Sequence, residues 1–289
     1  ELSPEFQPEV ARLRSEGLQL REAREASLDG RAHHLAAIFE RATPQDPRET
    51  YELRIIESDG RSVATIFRRP EFFFTFSASP ELSALNATDI NGDGFREVIA
   101  ESSSGGNCWE CNPVEIYRVA NHKAELIAAG PIQKIVDLDH DGISELVVTD
   151  ARWESYGDLA HAASPWSTII YAWRGGRYVD ASSDFPDYYK DQIGTLTSRL
   201  NEAKSVADSM PGEEPGDDSY IGVAISIAIT YAHLGDTERA VQQLKALLLP
   251  DGAPAKNSER RQKILKDFES GDSAAKLRSS KHGDPLLTR

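Results

Sequence analysis

Apolar positions in the first forty residues recur at near-helical spacing: Val10, Leu13, Leu20 and Ala23, then Leu35, Ile38 and Phe39 after Asp29-Gly30. One stripe at threefold to fourfold spacing is the mark of an amphipathic helix. The pattern therefore predicts helix from about 8 to 42, broken at Asp29-Gly30 and ended by Thr43-Pro44-Gln45-Asp46-Pro47. From about 50 to 181 the period changes to short β-type runs between turn signals. Tyr51–Ile56, Ser62–Phe67, Phe72–Phe76, Glu97–Ala100, Val114–Val119, Ala124–Ala128, Ile132–Val136, Leu146–Thr149, Thr168–Trp173 and Arg177–Val179 all read as strands. Ser58-Asp59-Gly60-Arg61 is a hairpin turn between the first two. Strands following one another without intervening helices predict antiparallel sheet.

Beyond 187 the helical period returns. Ile193, Leu196, Leu200, Ala203 and Val206 mark one helix, Met210–Asp218 an acidic break, and Tyr220–Leu234 and Thr237–Leu249 two helices around Gly235-Asp236. A last helix covers Ser258–Phe268, and the polar stretch after Gly271 predicts a loosely attached tail. The expected organisation is a helical segment over 1–47, a β domain over 48–184, a helical region over 185–270 and a tail over 271–289. The fold class is α+β, an antiparallel sheet domain flanked by N- and C-terminal helices.

Charge narrows the function. Lys and Arg total 32 against 47 Asp and Glu, a formal net charge of −15. Phosphate neutralisation needs clustered cations, so nucleic acid is excluded as a general partner. The longest apolar run, Ile221–Ala232, falls short of the roughly 20 residues of a membrane helix. The opening Glu1-Leu2-Ser3-Pro4 lacks an initiator Met, which suits either a mature exported chain whose leader is gone or a trimmed one. The two cysteines stand as Cys108-Trp109-Glu110-Cys111. Zinc would need further ligands at matched spacing, and a redox pair would want a helix N-terminus. Here Ser102–Asn107 precedes the pair and strand-like Val114–Tyr117 follows it, so a local disulfide in an oxidising compartment is expected.

The strongest chemical signal is a loop that occurs twice. Asp89-Ile90-Asn91-Gly92-Asp93-Gly94-Phe95-Arg96-Glu97 and Asp137-Leu138-Asp139-His140-Asp141-Gly142-Ile143-Ser144-Glu145 both read D-x-[DN]-x-D-G-x-x-E, with starts 48 positions apart. Residues 1, 3 and 5 of such a loop turn oxygens toward one centre, residue 7 offers a carbonyl, and residue 9 closes the cage. Gly at residue 6 permits the sharp turn. Crowded carboxylates repel unless a hard, oxygen-seeking ion sits among them, and Ca2+ suits this better than the water-retaining Mg2+. Position 12 is Ala100 or Val148, not the bidentate Glu of an EF-hand. The plainer alternative is a pair of Asp/Gly turns with no ion.

These loops and the strands after them, Asp89–Ala100 and Asp137–Thr149, resemble the calcium loops of FG-GAP/VCBS-type repeats, the blades of integrin-like β-propellers and of many exported bacterial proteins. The resemblance covers about 50–181. It implies two Ca2+ sites, with Asp89, Asn91, Asp93 and Glu97 in one and Asp137, Asp139, Asp141 and Glu145 in the other, joined by Phe95 and Ile143 through their carbonyls. It implies a β-propeller-blade-like sheet. Two departures stand out: residue 9 is Glu where Asp is common, which suggests closure through water, and two loops are too few for a full ring. Ala228, Tyr231, Gly235, Ala240 and Leu244 likewise resemble a single tetratricopeptide-like helical pair, which would have to cover its open face on the sheet, on other helices or on a partner.

The seven histidines form no nucleophile or metal pattern; His33-His34, on the expected helix, would face different sides, and His140 is a variable loop residue. Trp153, Tyr156, Trp166, Tyr171 and Trp173 read as core and edge residues or as a ligand groove. The function expected is a non-catalytic, extracytoplasmic (periplasmic or secreted) calcium-binding protein, Ca2+ stiffening the β domain and the helices docking a protein partner. The alternatives are a calcium-dependent hydrolase, a carbohydrate-binding or adhesion module, and a CxxC thiol oxidoreductase.

Overall fold

Only the first turns of the N-terminal stretch are helical: α1 spans Gln7–Ser15, and the chain then forms β1 (Leu18–Ala26) and β2 (His33–Arg41) in a computed structural model that describes residues 2–76, 79–209, 214–250, 258–270 and 286. The helix expected up to residue 42 is thus corrected to helix and hairpin. The reason lies in β2, which is buried on both faces. Leu35, Ala37 and Phe39 meet Val10 and Leu13 of α1 and Phe6 just before it, while Ala36 and Ile38 meet Leu53, Phe74, Val98 and Tyr117. A strand buried on both sides shows a continuous apolar run, which periodicity alone does not separate from a buried helix. Asp29-Gly30, read as a helix break, is the hairpin turn.

The remaining strands fall close to expectation: β3 (Tyr51–Ser58), β4 (Val63–Glu71), β5 (Phe73–Thr75), β6 (Glu97–Ser103), β7 (Val114–Ala120), β8 (Lys123–Gly130), β9 (Ile132–Val136), β10 (Glu145–Thr149), β11 (Thr168–Arg174) and β12 (Arg177–Asp180). A short helix, α2 (Pro80–Leu85), precedes β6; the Ser79 hydroxyl accepts the Leu82 N–H and caps it. The strands make three four-stranded antiparallel sheets, ordered β1-β2-β3-β4, β5-β6-β7-β8 and β12-β11-β10-β9. Each is a run of sequence neighbours, the low-contact-order solution for consecutive hairpins. At the β3–β4 turn, Asp59 Oδ1 accepts the N–H groups of Arg61 and Ser62 at 2.8 Å, as the turn signal predicts.

The chain divides into two compact units. One holds the residues up to Val147 together with Ala172–Val179. Its core joins the first two sheets through Leu28, Ile38, Leu53, Ile55, Phe74, Val98 and Tyr117. The other holds Val148–Tyr171 and Asp180–Pro285, including α3 (Pro186–Ser209), α4 (Glu214–His233), α5 (Thr237–Leu248) and α6 (Ser258–Ser270). Residues 214–218 of the expected acidic break belong to the first turn of α4; residues 210–213 and all of the predicted tail except Leu286 lie outside the described residues.

In the second unit Ala228, Ala240 and Leu244 are fully buried, and Gly235 turns the chain with φ +81°. Leu196 and Leu200 of α3, Ile264, Leu265 and Phe268 of α6, and Trp153 and Leu159 pack into the same core. The apolar face of the α4–α5 pair is therefore covered by its own chain.

Candidate metal centre

The two acidic loops occupy the same place in successive sheets. Asp89–Glu97 leads into β6, the second strand of its sheet, and Asp137–Glu145 joins β9 to β10, the first and second strands of the next. Four of their internal hydrogen bonds match residue for residue. Asp89 Oδ2 accepts from Gly94 N–H at 3.0 Å and Asp137 Oδ2 from Gly142 N–H at 3.0 Å. Asn91 Oδ1 and Asp139 Oδ1 accept from the N–H two residues on, at 3.0 and 3.3 Å. Asp93 and Asp141 do the same toward Phe95 and Ile143, at 3.0 and 2.7 Å. Glu97 Oε2 accepts from Ile90 N–H at 3.0 Å, and Glu145 Oε2 from Leu138 N–H at 2.8 Å. The ninth residue thus closes back on the second.

This geometry needs left-handed backbone at two places. Gly94 and Gly142 have φ of +87° and +89°, so residue 6 must be Gly. Residue 4 is left-handed too, Gly92 at +70° and His140 at +63°. His140 holds a conformation that costs a side chain about 1 kcal/mol or more.

The carboxylates gather accordingly. One oxygen each from Asp89, Asp93 and Glu97, and one each from Asp137, Asp139 and Glu145, lie within 4.8 Å of one another. In both groups an exposed and a half-buried aspartate face a buried glutamate. Asn91 is buried and donates to Glu97 Oε1 at 3.2 Å. Asp141 sits outside the second trio. The Phe95 and Ile143 N–H groups bond to the aspartates two residues before them.

Electrostatics records the crowding. Burial pushes the Glu97 carboxyl up to about 8; the Ile90 N–H works against this, and the charges of Asp93 and Asp89 add to it. Glu145 is raised as well, first by burial and then by Asp139, Asp141 and Asp137. Groups that resist ionisation until a positive charge arrives are what a cation site presents without its ion.

Two neighbours carry no sequence signal. Arg118, on β7, donates to Asp93 Oδ2 at 3.0 Å and lies 5.8 Å from the centre of the Phe95 ring. Tyr178, on β12, is 2 % exposed, and its hydroxyl has no hydrogen-bond partner among the described residues. Burial raises this phenol strongly, and the carboxylates of Glu97, Glu145, Asp93 and Asp89 raise it further, so it stands within electrostatic reach of both loops. The loops also touch: Ser144 N–H donates to Ile90 C=O at 2.7 Å, and a Cβ on Gly92 would come within 3.1 Å of Ile143 Cγ1.

The other candidates resolve differently. Cys108 and Cys111 are disulfide-bonded with Cα atoms 5.0 Å apart, in the connection between β6 and β7. That is a strand-to-strand loop, as its flanking residues predict. Trp153 and Tyr171 are buried core residues, and the Trp153 indole N–H donates to Asp150 at 2.9 Å. His33 and His34 are neighbours on a strand rather than a helix, and they take different partners: His33 meets Glu5, whereas His34 meets Glu57 and, against the expectation of no metal pattern, groups with Asp29 and Glu57, one ligand atom of each within 4.8 Å of the others. Compared with models of known families and with curated proteins, the chain finds no match.

Proposed function

We propose that this chain is a non-catalytic, calcium-binding protein in which two Ca2+ ions, held by Asp89–Glu97 and Asp137–Glu145, stiffen the β unit. The observation that carries the reading is the pair of loops with four hydrogen bonds in common, the same left-handed positions and the same buried glutamate. Turn propensity alone explains Asp and Gly. It does not explain gathering three carboxyl groups twice, each with one of them buried and raised.

Asp89, Asp93, Glu97, Asp137, Asp139 and Glu145 would supply side-chain oxygens, with Asn91, Asp141 and the carbonyls of Phe95 and Ile143 completing the set. A hard cation taking six to eight oxygens fits this donor chemistry. The FG-GAP/VCBS-type reading is supported by the place of each loop before the second strand of a four-stranded meander. An extracytoplasmic home is proposed on the disulfide and on the millimolar calcium outside cells. Docking of a protein partner by the helices was expected from an open apolar face; since the chain covers that face itself, a partner would have to use the outer, polar surface.

The test is thermal unfolding in millimolar CaCl2, in excess chelator and in MgCl2. A ligand at a hundredfold its Kd adds about 2.7 kcal/mol per site, so a calcium-specific rise of several degrees is expected. Equal melting in all three overturns the proposal.

A further inference from the structure

The connection between β1 and β2 shares two hydrogen bonds with the acidic loops, though it lacks their left-handed sixth residue and its sequence, Ser27-Leu28-Asp29-Gly30-Arg31-Ala32-His33-His34, shows no motif. Asp29 Oδ1 accepts from Arg31 N–H, two residues on, at 2.9 Å, as Asn91 and Asp139 do. Gly30 is left-handed at φ +70°, as Gly92 and His140 are. Leu28 N–H donates to His34 Nδ1 at 3.3 Å, in the place of the bonds from Ile90 to Glu97 and from Leu138 to Glu145. Even the bond between loops recurs. Arg96 N–H donates to Leu28 C=O at 2.8 Å, and Ser144 N–H to Ile90 C=O at 2.7 Å. Arg96 and Ser144 are both the eighth residue of their loop, and Leu28 and Ile90 are both the second. The connection also lies between the first and second strands of its sheet.

What differs is the chemistry. The aspartates at residues 1 and 5 have become Ser27 and Arg31, and the closing glutamate has become His34, with one residue fewer in between. His34 is fully buried. Because its Nδ1 accepts from Leu28, the ring proton sits on Nε2, which donates to Glu57 Oε2 at 3.1 Å. Glu57 Oε1 meets His122 Nδ1 at 2.5 Å, on the turn between β7 and β8. His122 itself is left-handed, φ +62°.

We propose that the β1–β2 connection is a third copy of the cation loop in which the His34 N–H, held between Leu28 and Glu57, has replaced the ion. The chain then has three related loops, the first without the left-handed sixth residue, and takes only two Ca2+ ions. A metal on His34 Nε2 would need the proton moved to Nδ1, against the Leu28 N–H, so a transition metal is disfavoured there as well. This rests on the calcium reading of the two acidic loops.

Native mass spectrometry of the full chain in CaCl2, and separately in ZnCl2, counts the ions. The wild type is expected to hold two calcium ions and no zinc at this position. Three calcium ions, or one zinc lost in His34→Gln, would overturn the inference and leave the calcium reading standing; no calcium at all would overturn both. Grafting the Asp89–Glu97 sequence in place of residues 27–34 is expected to raise the count to three. A folded graft that still holds two overturns the inference. Should the graft not fold, the wild-type counts decide.

Discussion

Replacing Glu97 by Gln should act in opposite directions with and without calcium. In the metal-free protein the Glu97 carboxyl titrates near 8, against an ordinary value of 4.5, chiefly because it is buried. A folded-state value above the unfolded one gives stability that is complete below pH 4.5 and is lost as pH rises through 8. At about 1.4 kcal/mol per pH unit, the loss by pH 9 is on the order of 5 kcal/mol. Gln carries no charge and escapes it. The amide keeps one acceptor for Ile90 N–H but meets the Asn91 amide with a second donor, a pH-independent cost of about 1–3 kcal/mol. Urea unfolding in chelator from pH 5 to 9 should therefore show E97Q gaining on the wild type as pH rises, by several kcal/mol across the range. In saturating CaCl2 the order should reverse, because the variant loses a charged ligand. A constant difference between the two proteins at every pH, with and without calcium, would refute the argument.

Three further outcomes follow from neighbouring side chains. Arg118→Gln removes a cation 3.0 Å from Asp93 and should tighten calcium at the first loop several-fold by calorimetry; weaker binding would mean that Arg118 holds the loop in shape. Tyr178→Phe removes a buried hydroxyl that has no partner among the described residues, so the metal-free protein should gain about 1 kcal/mol while calcium binds less tightly; an equal change in both states would leave the hydroxyl no role at the ions. His122 is raised by its bond to Glu57, then by the Glu57 charge, with Asp29 and Asp59 adding to it. Its contribution is complete below pH 6.5 and fades as pH rises past that raised value, so His122→Asn should flatten this part of the melting profile, and an unchanged profile would count against the contact.

The acidic loops were legible because their chemistry is local: alternating carboxylates and a Gly that must be left-handed fall within nine residues. The strands of residues 50–181 were legible for the same reason, each run being bounded by its own turn residues. β1 and β2 were not. Leu35, Ala37 and Phe39 pack on α1 while Ala36 and Ile38 pack on the second sheet, and that double burial erases the alternation by which a strand is recognised. The proposed kinship of the β1–β2 connection was hidden because only part of the bond pattern is there, and Ser27, Arg31 and His34 stand where the other two loops carry carboxylates. Arg118 and Tyr178 reach the loops from strands far along the chain, and no spacing rule points to either.

The central claim is that each acidic loop holds one calcium ion. Anomalous diffraction from crystals grown in CaCl2 tests it directly. Two peaks are expected, each about 2.3–2.6 Å from its oxygens, one among Asp89, Asp93 and Glu97 and one among Asp137, Asp139 and Glu145, with none beside His34. Loops of unchanged shape with no anomalous peak at either trio would contradict it.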